Sequence, residues 1–155
     1  MQAYRKEMME MSGIVVGVDG SAHSRKALDW AAREAGIRHV PLTVLTVHQA
    51  VAGYFTHSVV DYPGDKTIIE KNREAAQRET DEVLRSLGDG PRPESVTVTS
   101  RNGFPTEEIL NAAADADMVV VGSRGAGGFK HLRMGSVSSQ VSHHAHCPVV
   151  VIPPG

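Results

Sequence analysis

Five short β-branched runs, at 14–18, 42–47, 95–100, 118–121 and 149–152, alternate along this chain with stretches in which apolar residues recur at helical spacing. After the first run, Asp19-Gly20-Ser21 reads as a turn. Ala27, Leu28, Ala31, Ala32 and Ala35 then follow a helical stripe that Gly36 is placed to end. Residues 67–87 carry Ile69, Asn72, Ala76, Val83, Leu84 and Leu87 on one stripe before Gly88 and Gly90. Gly103-Phe104-Pro105-Thr106 opens a helix through Ile109, Leu110, Ala113 and Ala114, with Glu107 and Glu108 near its positive end. A last helix is expected from Ser136, as its cap, to about His144, with Val137 and Val141 turned inward. Residues 50–66 hold Gly53, Tyr54, Phe55, Pro63 and Gly64 without a clear period, longer than an ordinary connection and therefore a candidate lid or binding loop.

Strands that alternate with helices imply an α/β fold: a doubly wound parallel sheet of five strands with helices on both faces. Ligands of such sheets bind beyond the carboxyl ends of the strands, where the winding reverses. Periodicity alone does not say which strands flank that point. A length of 155 residues suits one domain, expected over 13–155 behind a flexible tail at 1–12. With a formal net charge of −2 there is no electrostatic case for a nucleic-acid partner, although Lys130, His131 and Arg133 cluster locally. A lone Cys147 excludes an internal disulfide framework. The first twelve residues contain Arg5, Lys6, Glu7 and Glu10 and lack the apolar core of a signal peptide, and no run approaches membrane-spanning length. A cytoplasmic protein with no membrane partner is the expectation.

The chemistry concentrates in Gly122-Ser-Arg-Gly125-Ala-Gly-Gly-Phe-Lys-His-Leu-Arg-Met-Gly135-Ser136, a basic loop between the fourth strand and the last helix. The first N–H groups of a helix lack internal partners and the macrodipole is positive there, so a phosphate fits such a junction. Glycine lets the backbone approach that phosphate closely. No Gly-Lys-Ser/Thr triplet follows at the distance a P-loop needs, and Lys130 stands where the dinucleotide fingerprint requires glycine or alanine. What the loop does fit is Gly-x2-Gly-x9-Gly-Ser, on Gly122, Gly125, Gly135 and Ser136.

This pattern resembles the ATP-binding signature of the universal stress protein family. The resemblance runs from Ile14-Val-Val-Gly17-Val-Asp19-Gly-Ser21 at the first strand to Cys147-Pro-Val-Val-Val-Ile-Pro153 at the last. It implies a Rossmann-like sheet of strand order 3-2-1-4-5, which brings Asp19 and Gly122 to one crevice. It also implies ATP, with Mg2+, as the bound cofactor. The residues it assigns to binding are Gly17, Asp19, Val47, Val121, Gly122, Arg124, Gly125, Gly135, Ser136 and Val137. Asp19 would contact the ribose or a metal on the phosphates, and the Val47 backbone would meet adenine. Thr46-Val47-His48-Gln49 departs here from the family's His-Val followed by a polar or acidic residue. A homodimer through the C-terminal strand is implied as well. The function that follows is a nucleotide-dependent regulatory protein of the stress response, the alternatives being a slow ATPase on the same fold and a nucleotide-free interaction module.

No catalytic group and no resident metal site are expected. His143 and His144 point about 100° apart on a helix, and Cys147 lies where the next strand begins, so these residues and His146 do not make a zinc site. His23 and Ser24 read as helix-start residues, since no acid completes a nucleophilic triad with them.

Overall fold

The computed structural model describes residues 13–49, 51–52, 59–60, 65–124 and 134–154, with backbone alone at 51–52 and 59–60. The strands are β1 Ile14–Val18, β2 Leu42–Gln49, β3 Val51–Ala52, β4 Val59–Val60, β5 Val96–Gly103, β6 Met118–Gly122 and β7 Val149–Ile152. The helices among the described residues are α1 Ala22–Arg38, α2 Asp65–Ser86, α3 Pro105–Ala112 and α4 Ser136–His144. Five parallel strands form the main sheet in the order β5-β2-β1-β6-β7, which is 3-2-1-4-5 when the long strands are counted along the chain. The expected tail at 1–12 lies outside the described residues.

Alternation along the strands sorts the core into two layers. Ile14, Val16, Val18, Leu42, Val44, Met118 and Val120 turn to one face, where Ala27, Leu28, Ala31, Ala32 and Ala35 of α1 and Ala76 and Val83 of α2 cover them. Val15, Leu45, Val119 and Val121 turn to the other, against Ile109 and Ala113 on α3 and Val141 on α4. Small alanines on α1 let that helix lie close to the sheet. Each fully buried Leu or Val, such as Leu28, Leu42 or Val120, contributes about 1.5–3 kcal/mol relative to exposure. Thr80 is buried in the same layer and stays satisfied, because its Oγ1 donates to the Ala76 carbonyl at 2.7 Å. Among the described residues no helix is long and apolar enough to cross a membrane.

Several boundaries differ from the sequence reading. Gly36 does not end α1. The helix continues to Arg38 and closes on His39 in the left-handed conformation, φ 55° and ψ 53°. Gly36 instead serves close approach, since a Cβ there would collide with the Pro91 carbonyl. Ser136 is not the cap of α4: that place belongs to Gly135, and Ser136 is the first helical residue. The excursion at 50–66 contains an antiparallel pair, Val51 with Val60 and Ala52 with Val59, and α2 already starts at Asp65. β5 runs on to Gly103 because Arg101, Asn102 and Gly103 pair with Val47, His48 and Gln49.

Candidate functional site

The winding reverses between β1 and β6, whose chains leave the sheet to opposite faces, into α1 and α4 respectively. The two carboxyl ends meet there. A Cβ on Gly122 would stand 3.2 Å from the His23 carbonyl in the first turn of α1, so glycine is what allows β6 to end against that turn.

On the β1 side the turn is closed by its own polar groups. Gly20 takes φ +81°. Asp19 Oδ1 accepts the Ser21 N–H at 2.9 Å, and the Ser21 side chain caps α1 by accepting the Ser24 N–H at 3.2 Å. Ser24 Oγ accepts the Asp19 N–H at 3.2 Å and donates to the Ser21 carbonyl at 3.1 Å. Asp19 is therefore a turn-forming residue that also stands exposed at the crevice. Behind it, burial pushes the Glu79 carboxyl on α2 up; Arg25 opposes the shift, and Glu82 and Asp19 add to it. Glu79 Oε1 is buried without a hydrogen-bond partner among the described residues. Sequence reasoning missed Glu79. Its signal was its place on the inward stripe of α2, between Ala76 and Val83.

The β6 side is built differently. Ser123 N–H continues the sheet by donating to the Ile152 carbonyl at 2.9 Å, while the Ser123 carbonyl accepts from the Gly135 N–H and from Ser138 Oγ at 3.0 Å. These bonds tie together the two ends of the 124–134 segment. Gly135, at φ −75° and ψ 169°, caps α4 with no side chain. Among the described residues the first N–H groups of α4 therefore have no capping side chain. Beside them, Ser123 is 3% exposed, and neither its Oγ nor the buried Nε of Arg124 has a partner among the described residues. Ser136 is exposed, and Val137 packs half-buried on the α3–α4 layer.

Of the remaining residues singled out from sequence, Val121 is buried in the α3–α4 layer and Val47 packs half-buried against it, so both side chains are engaged in packing. The Cβ direction of Gly17 points at Ile109, 3.0 Å away, which makes room for α3. Gly125, with Lys130, His131 and Arg133, lies outside the described residues. One polar pair was not foreseen: His48 Nε2 stands 3.3 Å from Asp65 Oδ1, joining the end of β2 to the start of α2. At the far end of α4, His143 and His144 occupy the last turn, where imidazoles complement the helix dipole.

Residues 11–153 match the model of the universal stress protein family. A universal stress protein of Mycobacterium bovis is 36% identical over 151 residues, 91% of this chain and 48% of its own length. The chain thus spans about half the length of the curated relatives it matches. Among solved structures, a universal stress protein from Archaeoglobus fulgidus in complex with dAMP is 28% identical, with a TM-score of 0.60 over 93% of this chain and 99% of that one. The UspA protein of Lactobacillus plantarum, 23% identical, shares the fold with a TM-score of 0.66 over 92% of this chain and 98% of that one.

Proposed function

This chain belongs to the universal stress protein family, and on that footing we propose that it binds ATP between β1 and β6 and acts as a nucleotide-dependent regulatory protein of the stress response, not as a dedicated enzyme. One observation carries this: among the described residues the α4 start has no capping side chain, and the buried Ser123 Oγ and Arg124 Nε have no partner. Polar atoms left in that state are costly without a ligand or water to meet them. A phosphate supplies acceptors for all of them at once. The phosphates lie against the N–H groups of Ser136 and Val137, with Gly122, Gly125 and Gly135 allowing close approach. Adenine reaches the Val47 backbone, and Asp19 faces the ribose or a Mg2+ on the phosphates. The relative that binds dAMP supports an adenine nucleotide as the ligand class.

Output passes along α4. The helix that begins at the cradle leads directly into β7, and β7 pairs with β6 alone among the described residues, its outer edge open. All four of its residues are half-buried. A homodimer through this edge links nucleotide occupancy to assembly. Val151→Lys should give monomers by light scattering; an unchanged dimer mass would remove the edge from this account. A cytoplasmic location belongs with it, in keeping with a single half-buried thiol, Cys147, pushed up by burial.

The test is to denature purified, extensively washed protein and identify what it releases by chromatography, with Gly135→Asp as the comparison. Near-stoichiometric ATP from wild type and none from the folded variant is the expected result. No nucleotide from wild type, together with a Tm that Mg-ATP leaves unchanged, would overturn the assignment.

A further inference from the structure

At the opposite, amino edge of the sheet lies a groove of about 350 Å³. Strand register explains its floor: Val15 pairs with Thr43, and Thr43 with Thr97, so the three lie side by side across β1, β2 and β5. All three face away from α1 and α2, on the side where α3 is only eight residues long. The end of α3 and the turn after it stand over Val15, and among the described residues the β2–β5 part of that face stays open beside them. Ser95 and Asp115 complete the polar lining.

We propose that this groove is a second small-molecule site, one that takes an organic ammonium ion. The hydroxyls of Thr43, Ser95 and Thr97 and the carboxylate of Asp115 make no side-chain hydrogen bond or ion pair with other described residues. Among the described residues no lysine, arginine or histidine lines the groove. The last carbonyls of α3 add the negative end of a helix dipole on the same side as Asp115. Carboxylate, hydroxyl oxygens and helix carbonyls together attract a cation and repel an anion, whereas Val15, Ala112 and Ala116 suit a short aliphatic body. The volume is at the lower end of the range of ligand sites, about 300–1,000 Å³, and admits a diamine; the carboxylate, not the volume, disfavours a nucleotide. Five residues of β1 at about 3.3 Å each put the groove roughly 15 Å from the β1–β6 crevice, so the two sites can be occupied together.

Titration of the 15N-labelled full chain with putrescine tests this, with butanediol as the uncharged twin and sodium chloride as the ionic-strength control. Saturable amide shifts at Thr43, Thr97 and Asp115, with a Kd of about 1 mM or tighter, are expected for putrescine alone. Asp115→Asn should weaken them by at least about fivefold at unchanged Tm, since Asp115 is exposed and holds no other group. Thr97→Val, which keeps the charge and removes a hydroxyl, should weaken them less. Shifts spread over the carboxylates of α2, shifts that survive Asp115→Asn, or no saturable shift at all would each overturn the site.

Discussion

Two helices begin at the same crevice, and their first turns are finished in opposite ways. The start of α1 is closed by side chains: Ser21 caps it, Asp19 holds the Ser21 N–H, and Ser24 bonds back to both. Among the described residues the start of α4 has a glycine cap and no capping side-chain bond, and the hydroxyl of Ser138 in its first turn donates backward to the carbonyls of Ser123 and Gly135. Charge follows the same division. Asp19 stands in front of α1 with Glu79 within electrostatic reach of it, whereas Arg124 follows Ser123, whose carbonyl is bonded to Gly135 and Ser138 at the start of α4. Both N-termini carry the same partial positive charge from their aligned peptides. What differs is whether the chain neutralises that charge itself. Among the described residues the crevice thus has a carboxylate on its α1 side and a helix start without a capping side chain on its α4 side.

The sharpest way to break the contrast is to give α4 the closure that α1 has. Gly135→Asp places a carboxylate where the phosphate would lie, and should lower ATP affinity by at least about 100-fold. The same carboxylate caps the helix, so stability in the absence of nucleotide should hold or rise by about 0.3 kcal/mol. Calorimetric titration and thermal melts on one preparation separate the two effects, and a variant that still binds would move the anion site away from α4. The reverse change opens α1. Ser24→Ala leaves the Asp19 N–H and the Ser21 carbonyl without their hydroxyl partner and should cost about 1–2 kcal/mol by urea denaturation, with a smaller loss in ATP affinity. A larger loss in affinity than in stability would make the α1 turn part of the anion site. Next comes Arg124→Met, which keeps the stem and removes the guanidinium. It should weaken ATP about tenfold while leaving the nucleotide-free Tm unchanged or raised, because a buried Nε without a partner disappears. A lowered Tm would make Arg124 a structural residue.

The contrast was only half visible in the sequence. β-branched runs bounded β1 and β7 correctly, and the helical stripe of Val137 and Val141 located α4 from Ser136 to His144. The glycine spacing singled out the loop between β6 and α4 because those glycines follow no helical or strand period. The cap was misassigned. Serine is the better capping residue by propensity, so Ser136 drew the assignment, yet the helix starts one residue earlier in register and leaves the cap to Gly135. Gly36 misled for a related reason: a glycine that stops a helix and one that admits a neighbouring backbone look alike until the neighbour, Pro91, is known. Arg101, Asn102 and Gly103 have no strand signature and join β5 only through backbone pairing with β2. The two-residue strands β3 and β4 are too short to show a period. Strand order came from the family resemblance, since crossovers carry no local mark.

The smallest expected effect concerns the carboxylate behind the closed helix. Burial raises the Glu79 pKa above its ordinary 4.5, with Glu82 and Asp19 adding to the shift against Arg25. The folded protein thus favours the neutral acid. As pH rises past the ordinary carboxylate range, the unfolded chain releases its proton first, and stability falls across the window from 4.5 up to the raised folded value. Lowering the pH from neutrality into that window should therefore recover some stability in wild type and not in Glu79→Gln. Solvent screening keeps the change small, because Glu79 is only half-buried. Paired melts of the two proteins between neutral and mildly acidic pH measure it, with nucleotide removed so that phosphate titration does not intrude. If the two curves run parallel, the Glu79 pKa is not raised on folding, and the residue is ionised at neutral pH as a second carboxylate behind Asp19. Both carboxylates would then turn anions away from α1, and the Asp19→Asn, Glu79→Gln double variant would be the one that admits them there.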